Sequence, residues 1–372
     1  MILHKIFVIN YRNIAQADLQ FCPGINCFVG DNGAGKTNFL DAIYYLSFCK
    51  SFINVIDSQN VRHHSDFFVI QGQYLNGDSV DEIYCGLRQN QKKQFKRNKK
   101  EYPKLSDHIG LIPLVMISPA DEMLIMEGSE WRRRFLDSVI SQYDKGYLDT
   151  LIRYSRVLAQ RNQILKDADG NPPADMLDVY DGQLAMWGAM IYEKRKAFIN
   201  ELLPVFNHHF SNISGGAEVI DIHYRSHLSG EDFELQLFAS RQRDAQSGYT
   251  HRGIHRDDLE FTLGGHPLKK EGSQGQKKTF AIALRLAQFD FLTRHQGVKP
   301  LLLLDDIFDK LDSLRSKRLL ELVGEDHFSQ IFVSHTNRDH LEAILSGIGK
   351  EVLFFDVANG EIKLDNQNHH AS

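Results

Sequence analysis

The chain has 372 residues, 42% of them hydrophobic and 24% charged, and a formal net charge of −5. That is an ordinary globular composition with room for a large core and a second lobe. It excludes a polycation, so any nucleic-acid contact must come from a local basic surface. Four cysteines without a CxxC pair (Cys22, Cys27, Cys49, Cys85) indicate reduced, buried thiols of a cytoplasmic protein. The first residues, interrupted by His4 and Lys5, make a poor export signal, and Leu301 to Leu304 is too short an apolar run to span a membrane.

Along the chain, Ala17, Leu19 and Phe21 alternate with Asp18 and Gln20, the period of a half-buried strand. Pro23-Gly24 marks a turn, and Ile25 to Val29 is a short apolar strand. Next comes Gly30-Asp31-Asn32-Gly33-Ala34-Gly35-Lys36-Thr37, a GxxxxGK[ST] loop leading into a helix in which Leu40, Ile43 and Tyr44 share a face. A Gly-rich surface turn would carry no such context. The glycines let the backbone N–H groups curl around phosphates, and the helix start adds partial positive charge. Lys36 would reach the β- and γ-phosphates of ATP, and the Thr37 hydroxyl would ligate Mg²⁺. Phe67 to Leu87 reads as further strand, turning at Asn76-Gly77. Lys92, Lys93, Lys96, Arg97, Lys99 and Lys100 form either a solvated hairpin or a phosphate contact.

From Ser129, a plausible N-cap, to about Leu203 the pattern becomes helical. Phe135, Leu136, Val139, Ile140 and Tyr143 form one stripe; Leu148, Leu151, Ser155, Leu158 and Leu165 form a second; Leu184, Trp187, Ile191, Phe198 and Leu202 a third. Asp167 to Asp175 is an exposed turn between helices. After Gly253 the spacing predicts a helix from Gln276 to about Thr293, a buried strand over Pro300–Asp305, another helix, and a strand over Gln330–Ser334. This alternation suggests a largely parallel sheet covered on both faces. The reading is thus an α/β core in two parts, 1–120 and 241–372, interrupted by a mainly helical lobe over 121–240.

Leu301 to Leu304 followed by Asp305 and Asp306 places two carboxylates at the edge where open α/β sheets bind ligands. Asp305 would hold Mg²⁺ and Asp306 would orient or deprotonate the attacking water; an N-cap is the plainer role for either. Gly272-Ser273-Gln274-Gly275-Gln276 opens a helix, and a capped helix start explains it on its own. Its place some thirty residues before Asp305 favours a signature motif of the LSGGQ kind, with Ser273, Gln274 and Gly275 facing the γ-phosphate held by a second subunit. Lys310-Leu311-Asp312 stands where a D-loop belongs, and Ser334-His335 where a switch histidine belongs. The segment Ile117-Ser118-Pro119 is the nearest Q-loop candidate, without an assignable glutamine.

Other stretches are more particular. Asn10-Tyr11-Arg12-Asn13 is similar to the FRN element of RecF and SMC-like heads. Ser118-Pro119-Ala120-Asp121, Glu127-Gly128-Ser129, Arg132-Arg133-Arg134-Phe135-Leu136-Asp137, Leu158-Ala159-Gln160-Arg161-Asn162 and His255-Arg256-Asp257-Asp258-Leu259 all resemble the RecF family. The resemblance implies an α/β fold: an ABC/SMC-type P-loop ATPase head with an inserted, mainly helical second lobe. It implies nucleotide contacts from Arg12, from the loop Gly30 to Thr37 with Asn38 after it, and from Ser273, Gln274 and Gly275. It also implies Mg²⁺ on Thr37 and Asp305, and catalytic roles for Asp306 and His335. Asp306 stands where most ABC proteins carry glutamate, which implies slow ATP hydrolysis, and the family resemblance implies a weak, DNA-stimulated ATPase. The family's role would be DNA replication and recombinational repair. An ATP-closed homodimer would bind gapped DNA or single-strand/double-strand junctions and work with RecR and RecO to load RecA. The cluster at Lys92–Lys100, with Arg153, Arg156 and Arg161, would supply phosphate contacts. Two alternatives are an ABC-type ATPase serving a transporter or another DNA-processing complex, and a nucleotide-locked scaffold without turnover.

Overall fold

The structure, a computed structural model, describes residues 1–365 except 55, 169, 217, 231, 309–314, 316–317 and 319–326, and at 344 the backbone alone. In chain order the elements open with β1 (Ile2–Tyr11), β2 (Ile14–Gln20), β3 (Ile25–Val29) and α1 (Lys36–Phe48). Four strands and a fifth follow: β4 (Phe67–Asn76), β5 (Ser79–Arg88), β6 (Gln94–Arg97), β7 (Lys100–Glu101) and β8 (Leu114–Ile117). The helical stretch comprises α2 (Met123–Met126), α3 (Ser129–Tyr143), α4 (Lys145–Asp167) and α5 (Ala174–Ser214). After β9 (Ile220–Arg225) come α6 (Phe233–Ser247), β10 (Asp258–Leu263), β11 (His266–Pro267), α7 (Leu268–Glu271) and α8 (Gln274–Gln296). The last described elements are β12 (Leu301–Asp305), β13 (Ile331–His335), α9 (Arg338–Leu345), β14 (Val352–Ala358) and β15 (Glu361–Leu364).

The chain divides into two compact units. One comprises Met1–Asp121, Asn212–Gly216 and Lys278–Ser372, and the other Glu122–Ser211 and Ala217–Lys277. In the first, β2-β1-β4-β5-β6-β7 form an antiparallel sheet, and β15-β14-β3-β13-β12-β8 form a second sheet in which all but β15 run parallel. Strands β3, β8, β12 and β13 are buried along their whole length, which is why each is mostly apolar. Helix α1 packs on strands of both sheets, and Phe28, Phe39, Leu40, Ile43 and Leu46 join the core they share.

The second unit contains more than helices: β11-β10-β9 make a three-stranded antiparallel sheet. It also extends beyond the expected end at residue 240, through Lys277. The reason is pairing, since β10 registers with β9 from Leu259↔Tyr224 to Leu263↔Ile220, and Asp244, Thr250 and Asp257 bond to α4 and α5. Gly128, not Ser129, occupies the N-cap position of α3.

The predicted stripe on α4 also has to be corrected. Its buried face is Tyr147, Thr150, Tyr154, Val157, Arg161 and Leu165, one position off for most of its length. Leu148, Leu151 and Leu158 are only half-buried, and Ser155 is exposed. Arg161 is therefore no phosphate contact. It is 0% exposed and pairs with Asp181 at 2.7 Å and Asp244 at 2.8 Å.

Candidate nucleotide site

The GxxxxGK[ST] loop joins β3 to α1. Gly33 and Gly35 carry φ of 81° and 120°, which side chains resist, and no side chain caps the first turn of α1. Its amino-terminal N–H groups are thus left for an anion. Lys36 is buried, and its Nζ donates to the carbonyls of Gly30 (2.8 Å) and Asp31 (3.1 Å), folded over its own loop.

Because β3, β12 and β13 are parallel neighbours, their carboxyl ends deliver the remaining groups to one edge. The Thr37 hydroxyl donates to Asp305 Oδ1 at 2.9 Å, and Ser334 Oγ donates to the same oxygen at 2.7 Å. The Asp306 N–H donates to Ser334 Oγ at 3.0 Å, and the Gly30 N–H to the His335 carbonyl at 3.3 Å. Burial raises the Asp305 carboxyl above the ordinary range; hydrogen bonds from Ser334 and Thr37 oppose this, while the Asp306 charge adds to it. Asp306 holds a left-handed φ of 45°, and its buried Oδ1 has no hydrogen-bond partner among the described residues. A non-glycine residue in that conformation at a sheet edge is local strain kept by its surroundings. His335 is fully buried, with Nε2 2.9 Å from His340 Nδ1.

Two turns brace the loop from behind. Between β1 and β2, Arg12 donates through Nε to Asn38 Oδ1 (2.7 Å) and through a terminal nitrogen to Asn60 Oδ1 (3.2 Å). Asn13 donates to the Ala34 carbonyl (3.1 Å) and accepts from Asn38 (2.7 Å). Between β14 and β15, Gly360 donates its N–H to the same Ala34 carbonyl at 2.8 Å. With φ of 80°, and the Asn13 carbonyl only 2.2 Å from where a Cβ would stand, Gly360 admits no side chain. Asn13, Asn60, Ser334, His340 and Gly360 were given no role in the sequence reading. Asn13 and Ser334 were within reach, adjoining Arg12 and His335 in the quoted stretches; the others have no local signature.

The oxygen set of Thr37 and Asp305 suits a hard divalent cation such as Mg²⁺, and the orphaned Asp306 oxygen suits a water or a phosphate-bound proton. Arg12, Gly30 to Asn38, Asp305, Asp306 and His335 all belong to the first unit. Ser273, Gln274 and Gly275 belong to the second. There Ser273 and Gln276 form a reciprocal capping box: the Ser273 N–H donates to Gln276 Oε1 (2.6 Å) and the Gln276 N–H to Ser273 Oγ (3.2 Å). The Ser273 hydroxyl proton is not consumed by that cap. The D-loop residues Lys310, Leu311 and Asp312 lie outside the described residues. At the Q-loop candidate, the Ser118 N–H donates to Asp121, which is itself paired with Arg285.

The basic cluster over 92–100 is largely committed to structure. Lys93 donates to Asp57, to Tyr45 Oη and to the Cys49 carbonyl; Arg97 pairs with Asp81; Lys96 lies over the Tyr84 ring. The other motif stretches converge on one another in the second unit. Arg132 pairs with Asp258, Arg133 donates to the Asp257 carbonyl, and Arg195 joins Asp137 to Asp257. Asn162 accepts from the N–H and the hydroxyl of Thr250.

The profile of the RecF/RecN/SMC N-terminal domain matches residues 2–352. The DNA replication and repair protein RecF of Phocaeicola vulgatus is 54% identical over 97% of this chain and 98% of that one. That of Flavobacterium johnsoniae is 48% identical over 96% of this chain and 100% of that one. A solved structure of the recombination mediator protein RecF-ATP in the RecFOR pathway superposes with a TM-score of 0.88 at 30% identity, covering 98% and 97% of the two chains. A crystal structure of an Smc head bound to the C-winged helix domain of ScpA, 15% identical with a TM-score of 0.57, shares the fold.

Proposed function

The chain belongs to the RecF family, and from that premise we propose that it is an ATP-switched DNA-binding protein of DNA replication and repair. The observation that carries the reading is the joining of loop, hydroxyl and carboxylate at one sheet edge: Lys36 over its loop, Thr37 on Asp305, and Ser334 bridging Asp305 to Asp306. Relatives solved as RecF-ATP and RecF-ATPrS support ATP as the nucleotide. Bound Mg²⁺, held by Thr37 and Asp305, would neutralise charge on the β- and γ-phosphates. Lys36 moves from the Gly30 and Asp31 carbonyls to the phosphates, and the orphaned Asp306 oxygen takes the proton of the attacking water. Asp306 is shorter by one methylene than the usual glutamate, so turnover is slow and serves to release the bound state. His335, buried at the end of β13, reports the γ-phosphate to α9 through His340.

Ser273 at a capped helix start offers its hydroxyl proton to the γ-phosphate held by a second copy, so two chains close around two nucleotides. The closed dimer binds DNA at gaps and single-strand/double-strand junctions in the cytoplasm and acts with RecR and RecO to help RecA load. Among the described residues no helix is long and apolar enough to cross a membrane. The test is the mass in solution, with and without ATP·Mg²⁺, of the parent, Lys36→Ala and Ser273→Arg. An ATP-driven dimer in the parent that neither variant forms is the expected result. A parent that binds ATP yet keeps its mass overturns the composite site.

A further inference from the structure

The segment between α6 and β10 is built unlike an ordinary loop. Thr250 receives the buried Arg161 guanidinium on its hydroxyl at 2.9 Å and donates to Asn162. The His251 ring and N–H are both held by buried Asp244, at 2.8 and 3.1 Å. Gly253 leaves no room for a side chain, because a Cβ there would stand 2.4 Å from the Tyr154 hydroxyl. His255 is fixed by that hydroxyl (2.9 Å) and by the Thr250 carbonyl (3.0 Å). Thr250, His251, Gly253 and His255 are thus held in place, and Tyr249, Arg252 and Arg256 are left exposed.

What they present is cationic and aromatic. Arg252 and Arg256 are exposed and make no ion pair among the described residues, as is true of Arg153, Arg156 and Arg243 on the helices of the same unit, whereas Arg132, Arg134, Arg161, Arg195, Arg225 and Arg241 each face a carboxylate; what sets the pair apart is the Tyr249 ring beside Arg256. Both arginine charges act on the neighbouring His227, lowering its pKa further after burial. Arg256 lies 5.3 Å over the ring of Tyr249, which is 42% exposed, and His251 lies tilted against the same ring at 4.3 Å. The Lys166 side chain, also exposed, lies against Gly248 at the start of the segment. A rigid scaffold that gathers like charges without counter-charge is held against self-repulsion. A polyanion would relieve it.

We propose that Tyr249, Arg252, Arg256 and Lys166 form a preorganised contact for the phosphate backbone of DNA, a site in the second unit separate from the nucleotide loop. This rests on the DNA-binding reading above. The Arg256 guanidinium lies over the ring with one terminal nitrogen on the Thr250 carbonyl at 3.3 Å, which fixes it and leaves its other N–H groups for phosphate oxygens, an arrangement suited to nucleic acid more than to an acidic peptide. The contact reads no base, so its energy is counterion release.

The experiment is the DNA affinity of the full chain with ATP·Mg²⁺ across a salt series, for the parent, Arg252→Ala/Arg256→Ala and Arg252→Lys/Arg256→Lys, using a gapped duplex of two unrelated sequences. The alanine pair should weaken binding roughly fivefold to tenfold per arginine near 0.1 M salt, equally for both sequences. The logarithmic salt slope should become shallower by about one for each arginine, and the lysine pair should restore most of it. ATP affinity and ATP-dependent mass stay at parental values. If the parent binds DNA and the alanine pair binds it with the same slope, this site is wrong and the general reading survives. If the alanine pair loses an acidic protein partner but keeps DNA, the surface is a protein contact and the proposal falls. If the parent binds no DNA, both fail together.

Discussion

In the first unit Phe21, Phe28, Phe39, Phe332 and Phe355 pack against one another with ring centroids 4.8 to 6.5 Å apart, and the buried carboxylate Asp41 is met by neutral donors, the hydroxyls of Tyr11 and Ser51 and the N–H of Phe52. In the second unit the largest fully buried side chains include Arg161 and Arg195, each linking two carboxylates brought from separate segments. Apolar packing is tolerant, because a neighbour of similar volume can replace what is lost. A buried ionic net is selective and brittle, since removing one member leaves its partners charged in a low dielectric. The first unit is built to persist around a loop that must adapt; the second is built to hold a particular register of helices and sheet.

The contrast can be tested most strongly by Arg195→Met, which leaves Asp137 and Asp257 facing each other's charge. It should cost the second unit about 3–5 kcal/mol, against about 1 kcal/mol for Phe28→Leu in the first, read by hydrogen exchange unit by unit. Equal costs would mean the net contributes no more than packing. Acid should weaken both units alike, because they share one device. His108 and His255 each donate from Nε2 to a backbone carbonyl (Leu46 and Thr250) and accept at Nδ1 from a tyrosine hydroxyl (Tyr102 and Tyr154). Burial lowers both to about 4. Since the unfolded chain takes up these protons first, stability is complete above about pH 6.5 and falls toward pH 4, by about 2–3 kcal/mol for each histidine. Denaturant unfolding at pH 7, 6, 5 and 4 checks this; His255→Gln should flatten the profile of the second unit and leave that of the first unchanged. The smallest effect belongs to Gly360→Ala, which should reduce nucleotide affinity about tenfold by displacing the loop and cost the first unit about 1–2 kcal/mol through its left-handed φ and the clash with the Asn13 carbonyl, leaving the melting of the second unit unchanged. Parental affinity in a nucleotide titration would show that the brace is dispensable.

What could be read from sequence follows the same division. The loop from Gly30 to Thr37 between a strand and a helix, and the pair Asp305-Asp306 at the end of a buried strand, were legible as placements because their motifs have fixed local spacing. The strands β3, β12 and β13 were legible because full burial makes most of their residues apolar, the polar ones (Asn26, Asp305, Ser334, His335) being few. Helix α4 misled because its inner face carries Thr150, Tyr154 and Arg161, so apolar periodicity marks the neighbouring face. Lys93 and Arg161 looked like phosphate ligands because their carboxylate partners lie tens of residues away. The expected break at 240 missed β10, whose pairing with β9 no local pattern announces.

The brace formed by Asn13 and Gly360 on the Ala34 carbonyl has a consequence for biosynthesis. The strand that carries the phosphate loop is flanked by β13 and β14, both synthesised after the whole of the second unit. A nascent chain therefore exposes its GxxxxGK[ST] sequence without the neighbours that shape it until those strands have emerged. Prematurely terminated products that retain the motif would lack the hairpin at Gly360, and so would not compete with finished molecules for nucleotide.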